Sequence, residues 1–86
     1  MASQQSYTVY LVKCSDGTLY AGITTDMARR LKEHNEGALG AKYTKSRRPV
    51  RLVYSEVCAS RGAAQKREHA VRTLSRSQKL ALAQES

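Results

Sequence analysis

The chain has 86 residues, with 15 Lys and Arg against seven Asp and Glu, for a formal charge of +8. That is the size of one small domain, and its 41% hydrophobic residues support a modest core and exclude the low-hydrophobicity, high-charge regime of disordered chains. The apolar run Val9 to Val12 is too short to cross a bilayer, and Met1 to Ser6 has neither the cationic start nor the apolar stretch of a signal peptide.

These features predict a single domain over residues 1–86, with a core over about 7–83, a flexible segment 1–6 and a cytoplasmic location. The two cysteines, Cys14 and Cys58, are expected to be reduced thiols in that compartment. So strong a positive balance points to polyanions: DNA, RNA or an anionic membrane surface. No segment reads as a basic amphipathic helix with bulky aromatics on its apolar face, which argues against the membrane.

In chain order, Tyr7 to Lys13 is β-branched and aromatic, Ser15-Asp16-Gly17 supplies turn chemistry, and Thr18 to Ile23 is again strand-like. This is a hairpin whose register decides which side chains meet, because a one-residue slip turns every side chain to the other face. A two-residue Asp16-Gly17 loop puts Tyr10 and Tyr20 on opposite faces. A three-residue Ser15-Asp16-Gly17 loop with Gly17 in the left-handed conformation pairs Val12 with Tyr20 and Tyr10 with Gly22, and both tyrosines share one face.

Asp26 is an N-cap candidate for a helix through Met27 to His34 that ends near Asn35 to Gly37. Its apolar stripe is Met27 and Leu31. Helical spacing sets Arg30 and His34 beside that stripe and points Arg29, Lys32 and Glu33 elsewhere. His34 reads equally well as an ordinary cation at a helix C-terminus.

Glu36 to Pro49 shows no sustained period and reads as a long loop, a length that in compact domains usually serves function. Five basic side chains fall in the ten positions Lys42 to Arg51: Lys42, Lys45, Arg47, Arg48 and Arg51. Tyr43 within the run offers a stacking surface for nucleic acid. A third strand is expected over Arg51 to Val57. Ser60 caps a second helix from Arg61 to about Leu74, with apolar positions Ala63, Ala64, Ala70, Val71 and Leu74 and with Glu68 bordering the stripe. Ser75 and Gln78 have the capping-box form and open a short third helix through Leu80, Leu82 and Ala83.

Several chemistries find no support. Cys14, His34, Cys58 and His69 are scattered without zinc-type spacing, and there is no phosphate-binding Gly-rich loop or nucleophile elbow. What remains is two hairpin tyrosines, an arginine and a histidine one helical turn apart, and one glutamate edging a later helix. Phosphodiester hydrolysis can use each type: a carboxylate to anchor Mg²⁺ or Mn²⁺, a guanidinium to offset phosphoryl charge, a tyrosine or histidine to take a proton from water. Tyrosines packed against helices, and Glu68 paired with Arg72 at i, i+4, are the plain structural readings of the same residues.

Thr8-Val9-Tyr10, then nine residues, then Tyr20-Ala21-Gly22 resembles the paired tripeptides of the GIY-YIG nuclease superfamily. The segments Asp16 to Gly37, Gly40 to Tyr54 and Ala63 to Lys79 look like its small, stand-alone YhbQ-like members, and the R-R-x-x-x-H-N and R-E-x-x-V-R strings strengthen the match over residues 7–80. The resemblance implies an α+β fold of order β-β-α-β-α-α, a three-stranded antiparallel sheet flanked by helices. It implies a metal-dependent endonuclease, with Tyr10 and Tyr20 orienting or deprotonating water and Arg30 contacting the scissile phosphate. Glu68 then holds one divalent ion, Mg²⁺ or Mn²⁺, His34 is a further polar active-site group, and Gly22 leaves room for close approach. Thr8 stands where the first glycine is usual, and Ile23 where some members carry lysine.

On this reading Lys42, Tyr43, Lys45, Arg47, Arg48 and Arg51 bind DNA backbone, with RNA as an alternative ligand, and recognise shape or damage over base sequence. The alternatives are a non-catalytic nucleic-acid-binding module of the same fold and a domain that docks a repair or recombination protein.

Overall fold

The computed structural model describes residues 6–36 and 47–84. Lys42, Tyr43 and Lys45 of the expected basic loop lie outside the described residues, as does nearly all of the segment 1–6. The elements run β1 (Tyr7–Lys13), β2 (Leu19–Thr24), α1 (Met27–Glu36), β3 (Arg51–Cys58), α2 (Arg61–Arg72) and α3 (Arg76–Gln84). The three strands form one antiparallel sheet in the order β2-β1-β3. This is the expected α+β architecture. Among the described residues, no helix is long and apolar enough to cross a membrane.

β1 is the middle strand, and helices cover both its faces, so Val9, Tyr10, Leu11 and Val12 are buried in succession instead of alternating with exposed residues. On the first face Tyr10, Val12, Cys14 and Val50 pack with Tyr20 and with Met27 and Leu31 of α1. On the second, Val9, Leu11 and Ala21 pack with Ala64 and Val71 of α2 and Leu82 of α3. Cys14 and Cys58 belong to opposite faces and both are free thiols.

The hairpin takes the three-residue loop. Tyr10 pairs with Gly22 and Val12 with Tyr20, and Gly17 sits at φ +87°, a conformation costly for any residue with a Cβ. Asp16 Oδ1 accepts from the backbone and hydroxyl of Thr18, and these bonds, aided by Arg47, hold its carboxyl below the usual range. Opposite β1, β3 carries an irregularity: Leu11 faces Tyr54 but Val12 faces Leu52. The extra residue lets both Val53 and Tyr54 join the second-face core.

Both helix starts read from the sequence are present. Asp26 accepts from Arg29 N at 3.0 Å, and Ser60 Oγ accepts from Ala63 N at 3.1 Å. Ser75 and Gln78 exchange backbone-to-side-chain bonds as a capping box. Two details differ. Ala63 and Ala70 are exposed, because the buried face of α2 is set by Ala64 and Val71, seven residues apart. That helix also ends at Arg72, where Thr73 takes over with bonds back to His69 and Ala70.

Candidate active site

Three side chains meet on the first face. Tyr10 Oη lies 2.8 Å from His34 Nε2 and accepts from Arg30 Nε at 3.4 Å. Tyr10 and His34 are buried, 1% and 0% exposed. The rings of Tyr10 and Tyr20 both meet that of His34 edge-on, with centroids 5.7 and 5.6 Å apart. β1 contributes the first tyrosine, β2 the second, and two positions one helical turn apart on α1 the arginine and the histidine.

Burial and neighbouring charges set the charge states. Burial lowers the His34 pKa to about 4, with the Arg30 and Arg48 charges acting in the same direction. The imidazole is therefore neutral at pH 7, and it shares one hydrogen bond with the Tyr10 hydroxyl through Nε2. It is not the cation at a helix terminus that its position suggests. Burial likewise raises the Tyr10 pKa, against the opposing pull of Arg30. Burial also opposes the Arg30 charge, but bonds to Tyr10 and Glu33 outweigh it and raise the Arg30 pKa.

Glu33 does not point elsewhere. Its carboxylate binds Arg30 at 3.0 Å and Arg29 at 3.7 Å. An i, i+3 neighbour of Arg30 is reachable on any helix, so the pairing was available from spacing. Arg29, Arg30 and Glu33 line an open groove of about 410 Å³ with Thr24, Thr25 and, from α2, Arg61 and Gln65. The groove lies where α1 and α2 flank the end of β2.

Gly22 is what lets Tyr10 lie flat across β2. A Cβ built there would stand 2.5 Å from Tyr10 Cζ and 3.0 Å from Cε2. Glycine is required for close approach of the ring, a reason beyond room for a substrate.

The expected DNA-binding residues that are described divide differently. Arg47 Nε pairs with Asp16 at 3.0 Å. Arg48 donates from Nε to the His34 carbonyl and from Nη2 to that of Glu33, capping the C-terminus of α1. Arg51 sits exposed on β3 opposite Lys13. Asn35 secures the same junction, its amide donating to Val50 O at 2.9 Å and accepting from Val50 N. Neither Asn35 nor the capping role of Arg48 had a local signal, since each partner lies 14 or 15 positions away.

The chain matches the GIY-YIG catalytic domain over residues 6–81. It belongs to the GIY-YIG family. It is 56% identical over 81 residues to the UPF0213 protein DP2720 of Desulfotalea psychrophila, covering 94% of this chain and 74% of that protein. It is 51% identical over 80 residues to a UPF0213 protein of Staphylococcus aureus, covering 93% of this chain and 96% of the relative. Among solved structures, the UPF0213 protein BH0048 of Bacillus halodurans superposes with a TM-score of 0.60 at 41% identity, covering 94% of this chain and 85% of that one. The chain thus carries the nuclease-like fold of the GIY-YIG superfamily and is similar to the small UPF0213 proteins.

GIY-YIG nucleases generally use divalent metal ions. Among the described residues, no three His, Cys, Asp or Glu side chains stand together as a metal-holding group. Glu68, on α2, has a side chain only 19% exposed, paired with Arg72 at 3.4 Å. Helical spacing sets it on the same row of α2 as Arg61 and Gln65 of the groove, at i+7 and i+3. No bond among the described residues joins Glu68 to Tyr10, Tyr20, Arg30 or His34. The donor chemistry still suits Mg²⁺, which keeps several waters and takes one or two carboxylates together with substrate phosphates.

Proposed function

We propose that this GIY-YIG protein is an endonuclease that hydrolyses DNA phosphodiester bonds with one divalent ion, Mg²⁺ or Mn²⁺, reading backbone shape or damage over base sequence. The observation that carries the reading is the Arg30–Tyr10–His34 chain of bonds beside a groove lined by three arginines. A buried neutral histidine holds a buried phenol, and the phenol holds one edge of a guanidinium whose remainder lines the groove. Such preorganised positive charge is what phosphoryl transfer uses, because the site does no reorganisation as charge develops.

Exposure supports a division of roles. Tyr10, 1% exposed, cannot meet a water, so it positions Arg30 and His34. Tyr20, half-buried against the same histidine, is the tyrosine placed to orient or deprotonate the attacking water. Arg30 offsets charge on the phosphoryl oxygens. Glu68 would hold the divalent ion, which when bound polarises the phosphate and stabilises the leaving oxygen. Two free thiols suit a cytoplasmic setting.

The test is incubation of the purified protein with branched, nicked and single-stranded DNA in Mg²⁺ or Mn²⁺. Glu68→Ala and Arg30→Ala should each lower cleavage by at least about 10²-fold, while Glu68→Ala retains DNA binding. Salt-sensitive binding with no cleavage of any substrate by the wild type would replace this reading with a non-catalytic nucleic-acid-binding module.

A further inference from the structure

Lys13 and Arg51 stand directly across from each other in the β1–β3 register. Like charges in that relation destabilise a sheet, and neither is ion-paired among the described residues. Both rim a second open groove, of about 380 Å³, whose floor includes Leu19 of β2 and Leu80 of α3. Leu19 also borders an adjoining hollow with Arg76 and Lys79 of α3. Arg76 spends one N–H on the Gly17 carbonyl at 2.7 Å. The nearest described carboxylate on the hairpin, Asp16, is already held by Arg47 and Thr18. Four cations therefore border two adjoining hollows, and among the described residues none of them is paired with an acid.

This surface is distinct from the candidate active site. Lys13 and Leu19 face the α2–α3 side of the sheet, opposite Tyr10 and Tyr20, and they lie at the hairpin end of β2. The groove of Arg29, Arg30 and Arg61 lies at its other end. Leu19 to Thr24 is five residues of strand, or roughly 17 Å.

We propose that Lys13, Arg51, Arg76 and Lys79 form a second phosphate-binding surface that grips the backbone of double-stranded DNA, separate from the position at Arg30. The assignment of the first position rests on the nuclease reading. Cations rimming shallow apolar ground suit a polyanion with an uncharged surface between its phosphates, and they supply affinity without base sequence. The like-charge pair is the local cost of that grip.

Binding of a random-sequence 20-base-pair DNA duplex, followed by fluorescence anisotropy between 50 and 200 mM salt, tests the surface. Lys13→Gln/Arg51→Gln should make the log–log salt slope less negative by about 1.8 and weaken binding more than about tenfold at 0.1 M salt. Its melting temperature should equal or exceed that of the wild type, since a repulsion is removed. Lys79→Gln, away from the sheet, should change the slope by about 0.9 on its own. Unchanged slopes in both variants overturn the proposal, as do unchanged slopes accompanied by lost binding to phosphatidylserine vesicles, which would make this a membrane-facing surface. Steep wild-type binding that these variants reduce, in a protein that cuts nothing, keeps this surface and refutes the hydrolysis. Cleavage with unaltered slopes does the reverse.

Discussion

Tyr10 and His34, 24 positions apart in the chain, are joined Oη to Nε2 at 2.8 Å with both side chains buried. At neutral pH a histidine with a pKa near 4 carries a single ring proton, so the bond joins two uncharged groups. Stability therefore depends on pH with a defined sign. The folded-state pKa lies below the ordinary 6.5, so the unfolded chain takes up the proton first as pH falls. The contribution of His34 is full above about pH 6.5 and is lost as pH drops toward 4, amounting to roughly 3 kcal/mol across that window. Urea unfolding between pH 4 and 7 should show this slope, and His34→Gln should remove most of it. An unchanged slope in the variant would mean that His34 is not the group responsible.

Gly22→Ala tests the packing of the Tyr10 ring. The new methyl would meet Cζ at 2.5 Å, and the ring cannot swing away without breaking its bonds to Arg30 and His34. We expect a loss of roughly 1–3 kcal/mol by chemical denaturation. A variant as stable as the wild type would show that the ring has room to move.

Asn35→Ala tests the junction between α1 and β3. It leaves both the N–H and the C=O of Val50 without their partner in a buried position, at a cost of roughly 1–3 kcal/mol. Hydrogen exchange at the Val50 amide should accelerate more than at Val9 in the middle of β1. Equal acceleration at both amides would place the effect in global stability instead of the junction.

Much of this molecule was legible because its signals are local. Turn chemistry at Ser15-Asp16-Gly17 and the caps at Asp26, Ser60 and Ser75 act over a few residues and appear where expected. The shared face of Tyr10 and Tyr20 was one of two outcomes open to the hairpin, and the three-residue loop with Gly17 at positive φ decided it. Contacts without a short-range signal come from partners far along the chain or from the packing of whole elements. Arg48 in the basic run is an α1 cap, and Ala63 and Ala70 turn outward because α2 has only one buried face. Glu33 lines a groove that helical spacing alone does not show, because that groove is built partly from α2.

Composition and local pattern were enough to establish a small basic α+β domain, its element order and a short set of candidate residues. Tertiary structure decided their states: a neutral His34, a Tyr10 too buried to meet water, a hidden need for Gly22, and a cationic surface where Lys13 meets Arg51. Burial and long-range pairing set protonation and access, and neither is a property of any residue's immediate neighbours in the chain.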